Sequence, residues 1–442
     1  MSDSNHFSRR EFVKVAGGAA ATATLLGVSP TLAFGSQRRR YAIVGTGVRS
    51  IGMWGRDLVK QYSDVLEFVG LSDTNSKRVA VAREMMGVSC PTFTNFDEMC
   101  DKTKPDLLMV TTVDAYHAEY ITKALDRGID VVTEKPMVID SKQCQAVLDA
   151  EKRNKRKIVV TFNYRYAPKH QKIKEVLMSG EIGRVLSVEF SWFLDVYHGA
   201  DYFRRWHRLN SMGGSLWVHK ATHHFDLINW WLDADPVEVS AAAELDVYGK
   251  QGPFRHSHCR PCPHKSKCRF YYDMTKNASQ MRLYADCEDV DNYHRDGCVF
   301  REDVDIYDTM GAIMKYSNGT TMNYSLNAAL PYEGYRLAFT GEKGRLDVRD
   351  YERQPWPVEE ETEIYLTKSF GKREKIAVPH GEGGHGGGDN RLRELIFRNV
   401  TVPDYMRLPD SRAGAMSCLT GIAARTSVEQ KRPVKIADLI KL

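Results

Sequence analysis

Tyr41-Ala42-Ile43-Val44-Gly45-Thr46-Gly47-Val48-Arg49-Ser50 is the stretch on which the reading of this chain turns. A short apolar run ends in glycine, and a helical pattern starts just after it. Two glycines at this spacing permit a tight turn and let the backbone approach a pyrophosphate at the N-terminus of the next helix. Ser50 stands where a third glycine would complete the fingerprint, with Gly52 close by. The motif is weak alone and gains weight from its surroundings. A second apolar run, 66–73, ends in Asp73, 26 residues beyond Gly47. A carboxylate there can bind both ribose hydroxyls and repels a 2′-phosphate, so NAD is favoured over NADP. Lys77 and Arg78 follow and soften that preference.

Working outward, apolar strands at 41–45, 66–73, 106–112, 129–133 and 157–163 alternate with helices at 51–62, 76–86, 115–127 and 141–153. Continuous Val/Ile/Leu runs between amphipathic helices predict a parallel sheet covered on both faces. This is an α/β Rossmann domain, placed at 38–163. Beyond it the texture changes. Residues 185–194 alternate, with Val188, Phe190 and Trp192 on one face, and 309–316, 320–326 and 336–340 read as further strands. Helices at 389–398 and 411–430 close the chain. Residues 164–442 therefore form an α+β domain with an open, mostly antiparallel sheet.

The 442 residues allow two or three domains, and 42% apolar with 27% charged residues is the balance of a globular protein. Net charge is +5, and +4 once Arg9, Arg10, Lys14, Asp3 and Glu11 are set aside with the first 33 residues. So small a bias, with no basic stripe, argues against nucleic acid. Ser8-Arg9-Arg10-Glu11-Phe12-Val13-Lys14 is a twin-arginine pattern followed by a weakly apolar Ala/Gly-rich stretch and Thr31-Leu32-Ala33. Residues 1–33 read as a signal peptide, and the expected location is periplasmic or otherwise exported. No later stretch reaches the length of a membrane span.

Thr111-Thr112-Val113-Asp114-Ala115-Tyr116-His117, Thr133-Glu134-Lys135-Pro136 and Asn163-Tyr164-Arg165-Tyr166-Ala167-Pro168, taken with the glycine turn, resemble the glucose–fructose oxidoreductase / inositol dehydrogenase / rhizopine-catabolism (Gfo/Idh/MocA) family. Glu-Lys-Pro is its most specific short signature, and the resemblance runs from Tyr41 to the C-terminus. It implies an NAD(P)-dependent oxidoreductase acting on CH–OH groups. It also implies a sheet that serves as substrate wall and as interface of a homo-oligomer. Lys135 would bridge the nicotinamide ribose and the substrate, aimed by a cis proline, and Glu134 would shape the cofactor edge. Gly45, Thr46, Gly47, Val48, Arg49, Asp73, Thr111, Thr112, His117, Glu134, Lys135 and Arg165 are the expected cofactor contacts.

Residues 213–226 hold the densest chemistry. On a continuous helix His219 and His223 share one face at i,i+4, with Lys220 beside them and Asp226 three residues beyond His223. The family has an acidic residue and a histidine four apart here; His223 matches the histidine, and His219 stands where the acid usually is. Oxidising an alcohol needs a base for the hydroxyl proton, which suits histidine. His223 is the expected base, with Lys135 assisting and His219 or Lys220 positioning the sugar. The aromatic and polar run Tyr197–Tyr202 with Trp206-His207-Arg208 suits a pyranose. His385, in a glycine-rich loop, reads either as a cleft residue or as part of a linker.

Of nine cysteines, Cys90, Cys100, Cys144 and Cys418 read as small core residues. Cys259, Cys262 and Cys268, spaced C-x2-C-x5-C, and Cys298 mark an insertion near 256–300. They are read as a structural zinc site, with disulfides or an iron–sulfur cluster as rivals. The expected function is hydride transfer between tightly held NAD and a secondary alcohol of a sugar, glycoside or polyol. The alternatives are a redox-neutral glycosidase, which oxidises a ring carbon transiently, eliminates and re-reduces, and a non-catalytic sugar-binding protein that keeps NAD.

Overall fold

The computed structural model describes residues 38–357, 360–398 and 400–441; the twin-arginine segment lies outside them. Six parallel strands form the first sheet: β1 (Arg39–Val44), β2 (Leu66–Ser72), β3 (Thr92–Phe93), β4 (Leu107–Val110), β5 (Asp130–Thr133) and β6 (Ile158–Val160). Their order is β3-β2-β1-β4-β5-β6. The order reverses beside β1, and the crevice at that switch point is where α/β sheets bind ligands. β1 and β4 are almost wholly buried because helices cover both faces, which is why they read as unbroken apolar runs.

Nine strands form the second sheet: β7 (Val185–Asp195), β8 (Pro236–Glu244), β9 (Thr309–Tyr316), β10 (Thr321–Leu330), β11 (Glu333–Gly341), β12 (Gly344–Arg353), β13 (Glu361–Lys368), β14 (Arg373–Pro379) and β15 (Val434–Lys435). The order is β14-β13-β12-β11-β7-β10-β9-β8-β15. All pairs are antiparallel except β7 with β10, where Phe190 faces Tyr324 and Trp192 faces Leu326. Val188, Phe190, Trp192 and Leu194 turn inward as their alternation predicts. Sequence pattern alone does not mark β8 or β12–β14: β12–β14 turn charged residues outward, which dilutes their apolar signal, and β8 exposes Val237 and is otherwise rich in alanine.

The helix Ser411–Gln430 joins the two halves. A side chain at Gly414 would meet Val160 and Met137 of the first domain at 2.8 and 2.9 Å, and one at Gly421 would meet the Trp217 carbonyl at 2.2 Å. One continuous apolar core therefore runs from β1 and β4 through this helix to β7 and β10. Among the described residues no helix is long and apolar enough to cross a membrane.

The expected helix at 51–62 is two pieces, a wide π turn over Ser50–Arg56 and a short helix Asp57–Gln61. The 213–226 helix is also broken. It runs as Leu216–His219 and Thr222–Leu232, and the Ala221 N–H bonds back five residues to Leu216 O at 2.9 Å. That extra residue in the turn rotates His219 away from His223.

Replacing glycine by alanine inside a helix ordinarily stabilises by about 0.5–1 kcal/mol. Gly421→Ala is expected to do the reverse, costing about 1–3 kcal/mol because a methyl group must displace backbone. A lowered midpoint in thermal or urea unfolding checks this.

Candidate active site

A cleft of about 1910 Å³ opens along the C-terminal ends of β1, β2, β4 and β5 and runs under the second sheet. At its nucleotide end Gly45 has φ +85° and lies so close to Thr112 that any side chain would strike the backbone at 2.6 Å. Thr46 donates through N–H and Oγ to Asp73 Oδ2 at 2.7 and 2.9 Å, and Asn75 N–H donates to Oδ1 at 2.9 Å. Asp73 thus ties the glycine turn to the end of β2 while lining the cleft. Ser50 folds its hydroxyl onto Gly47 O at 2.7 Å. The close packing that a third glycine usually supplies comes from Gly55, whose Cβ would meet Met86 at 2.5 Å, whereas Gly52 faces open space. The narrow turn, the carboxylate beside it and the open crevice fit a dinucleotide.

Thr111 Oγ donates to Gly45 O at 2.6 Å. His117 spans two carbonyls, Pro136 O at 2.7 Å and Thr112 O at 3.1 Å, so it braces the loops around the site. Glu134 Oε1 accepts from Arg49 Nε and Trp54 Nε1, both at 2.7 Å. Burial alone would raise the Glu134 carboxyl; the Arg49 charge, the hydrogen bonds from Trp54 and Arg49 and the Lys135 charge together hold it low. Gly47, Val48 and Arg49 complete this wall.

Arg165 departs from expectation. Both of its arms bind Asp226, at 2.7 and 2.5 Å, and its guanidinium lies near the Phe162 and Trp230 rings, outside the residues that line the cleft. Asp226 is therefore not available to orient His223. A buried carboxylate needs its cation, and this pair is scaffold.

The Lys135–Pro136 bond is cis, as the resemblance implies. Lys135 Nζ donates to His219 O at 3.0 Å. Burial pushes its ammonium down to about 8, while Asp114 and Glu134 pull the other way. His219 Nδ1 meets Asp114 Oδ2 at 2.5 Å, a contact between the two domains. Burial and the charges of Lys135 and Arg205 hold His219 well below the ordinary histidine range, so it stays neutral at pH 7. Burial raises Asp114, against the pull of Lys135 and Arg205. A neutral His219 whose Nδ1–H points at Asp114 keeps its lone pair on Nε2. His223 lies elsewhere in the cleft, stacked on Tyr164 at 4.5 Å, and its Nδ1 is buried without a partner. Lys220 also lines the cleft, with Nζ 4.8 Å above the Trp192 ring, and burial lowers its pKa.

The far end of the cleft is aromatic and polar. Tyr202, Trp206 and His207 surround His219, with ring centres 5.3, 5.7 and 4.1 Å away. His198 bridges Glu333 at 2.6 Å and Tyr202 at 2.9 Å. Tyr197 is exposed and Arg208 is paired with Asp303, so neither belongs to this wall. His385 does reach the cleft, held by Asn163 and Asp389, each at 3.0 Å. Burial would raise the Asp389 carboxyl; its hydrogen bond to His385 and the Arg49 charge hold it well below the usual range. Asp114, Arg205, Glu333 and Glu352 were not singled out from sequence. Asp114 and Arg205 were the findable ones, since Asp114 sits inside a quoted motif and Arg205 directly precedes Trp206; Glu333 and Glu352 are single charges on strands far from any motif.

The cysteine expectation is corrected. Cys259, Cys262, Cys268 and Cys298 are free thiols, and among the described residues no three His, Cys, Asp or Glu side chains converge as a metal site. The Cys259 sulfur instead accepts from Arg204 at 3.3 Å, and burial raises the Cys259 and Cys268 thiols. The insertion is held by other means, with Arg260 bound to Asp296 and Glu288, and Cys259 N–H donating to Asp296 O at 2.8 Å.

Residues 39–162 match the description "Oxidoreductase family, NAD-binding Rossmann fold", and residues 174–436 match "Oxidoreductase family, C-terminal alpha/beta domain". The Bacillus subtilis protein YteT, an oxidoreductase by name, is 38% identical over 419 residues, 90% of this chain and 98% of its own. An inositol 2-dehydrogenase of Serratia proteamaculans is 26% identical over 202 residues, 44% of this chain and 56% of its own. The fold is shared with a levoglucosan dehydrogenase solved with NADH and levoglucosan (TM-score 0.65, 17% identity, 90% of this chain and 100% of that one). It is shared as well with the WlbA dehydrogenase of Bordetella pertussis solved with NADH and UDP-GlcNAcA (TM-score 0.62, 18% identity, 90% and 99%).

Arg165→Met is expected to cost about 3–5 kcal/mol of stability, since it strands the buried Asp226 charge. The folded fraction should bind NADH as tightly as the parent. Calorimetric unfolding and a fluorescence titration read the two effects separately.

Proposed function

The chain belongs to the Gfo/Idh/MocA oxidoreductase family, and from that membership we propose an exported NAD-dependent dehydrogenase that moves hydride to or from a secondary alcohol of a sugar, glycoside or polyol. The observation that carries this reading is the grouping of Lys135, Lys220 and the Asp114–His219 pair where the nucleotide end of the cleft meets its aromatic end. Relatives named for inositol and levoglucosan support a carbohydrate or polyol substrate. Export rests on Arg9 and Arg10 and on the small residues near Ala33. The protein is read as a homo-oligomer.

Bound NAD supplies the hydride acceptor. His219 Nε2 takes the hydroxyl proton, and Asp114 balances the imidazolium that forms, as an orienting carboxylate does beside a histidine base. This gives His219 the proton-handling role that sequence alone assigned to His223, because His219 has the carboxylate partner. The Lys135 ammonium steadies the oxygen as negative charge develops on it. Tyr202 and Trp206 offer apolar faces to a sugar ring. Lys220 and the Glu333–His198–Tyr202 chain meet its hydroxyls. His223 and Tyr164 close the opposite side.

Purified protein given NAD and a panel of sugars, polyols and glycosides should produce NADH with at least one of them. Free aglycone without net NADH would move the reading to the redox-neutral glycosidase. No turnover and no bound dinucleotide would sink the reading.

The pH dependence carries its own sign. The base must be neutral and Lys135 must be protonated, so kcat/KM for oxidation should rise with pH below the ordinary histidine range and fall through about pH 8. Lys135→Arg keeps its charge, so the alkaline limb should move up even as the rate drops. A rate that climbs through pH 8 would make Lys135 the base instead. Asp114→Asn should lower kcat by roughly 10²–10⁴-fold with a much smaller change in KM, the signature of an orienting carboxylate.

A further inference from the structure

Residues 278–294 belong to the second domain, yet they are seated on the first. Leu283 and Tyr284 are buried in the same apolar cluster as Ile51, Trp54 and Val79. Asn75 Nδ2 donates to Cys287 O at 2.8 Å, Lys77 pairs with Asp289 at 2.6 Å, and Arg282 pairs with Glu84 at 2.7 Å. Three of these anchors reach the N-terminal turn of the helix Ser76–Met86 or its last turns, so the segment follows the rim of the nucleotide end. Tyr284 then lies over the glycine turn. The Val48 N–H donates to its hydroxyl at 3.1 Å, and a side chain at Gly47 would come 3.5 Å from that oxygen. Tyr284, Asp291 and Tyr293 line the cleft together with Thr46, Gly47 and Asp73.

We propose that this segment is a clasp that completes the dinucleotide site from outside the dinucleotide-binding domain, retaining the cofactor and enforcing a free ribose 2′-hydroxyl. Retention follows from the second wall. A Rossmann crevice is open on one side, and a ligand leaves it by parting from one surface. Here a wall with its own buried anchor stands opposite the glycine turn. Tyr284 accepts from Val48, so its own proton remains for an anionic phosphate oxygen. The specificity follows from Arg78. Its guanidinium lies 3.6 Å from Asp73, where it could balance a 2′-phosphate, but Asp291 takes it at 2.8 Å, and it lies near the rings of Tyr284 and Tyr293 at 5.6 and 5.8 Å. Two carboxylates and one guanidinium leave no positive charge for a further phosphate.

This inference rests on the reading that the chain binds NAD, and the experiment separates the two. Wild-type protein, Tyr284→Ala, Tyr284→Phe and Asp291→Ala are loaded with NADH, and its release into excess NAD is followed by fluorescence. NADP affinity is titrated alongside, and unfolding midpoints report folding. Expected are release at least tenfold faster in Tyr284→Ala, two- to fivefold faster in Tyr284→Phe, and at least tenfold tighter NADP binding in Asp291→Ala. Release within twofold of wild type in both tyrosine variants, with no gain in NADP affinity, overturns the clasp while dinucleotide binding stands. Wild-type protein that takes up no dinucleotide overturns both.

Discussion

Burial of the Lys135 ammonium at the seam between the domains is the constraint to which most of the site answers. A cation withdrawn from water is costly unless opposite charge comes close to it. Asp114 and Glu134 come close from its own domain, and the His219 carbonyl accepts its proton from the other. The balance leaves a lysine lowered to about 8, charged at neutral pH yet close to release. Burial, with the charges of Lys135 and Arg205, holds His219 below the ordinary histidine range and neutral.

That arrangement requires the two domains to keep their relation to within a fraction of an ångström. A 2.5 Å contact between Asp114 and His219 cannot survive a loose hinge. The helix Ser411–Gln430 supplies the rigidity, with glycines that let it touch Val160 on one side and the Trp217 backbone on the other. The clasp at 278–294 makes a second crossing at the opposite end of the cleft. The catalytic junction lies between two fixed seams, so its geometry comes from packing far from the reacting atoms.

The cysteine-rich insertion shows how a strong sequence pattern can mislead. Spacing of C-x2-C-x5-C is local, but a metal site also needs thiols that ionise and side chains that converge. The four thiols are free, and among the described residues no three His, Cys, Asp or Glu side chains converge as a metal site. Ion pairs around Arg260 hold the segment in place. The role proposed for it rests on Tyr284, which no motif marked.

Much of the fold was legible in the sequence. The glycine turn, Asp73 and the Glu134-Lys135-Pro136 run declare themselves because their chemistry is local: a turn needs glycine, a ribose needs a carboxylate at a strand end, and a parallel sheet needs continuous apolar runs. His385 left two options open in sequence, and the fold decides between them, with the glycine-rich loop bringing its ring to the cleft. What sequence could not reveal depended on distance in the chain. Asp114 and His219 are 105 residues apart, and Val48 and Tyr284 are 236. Arg165 stands inside a family-like motif that suggests a cofactor contact, yet its partner Asp226 is reached only when the chain folds back. The periodicity of 213–226 suggested one helix with two aligned histidines. The five-residue bond at Ala221 that breaks that helix goes with the close packing of the Trp217 turn on Gly421 of the helix Ser411–Gln430, a contact between segments far apart in the chain that no local periodicity reports.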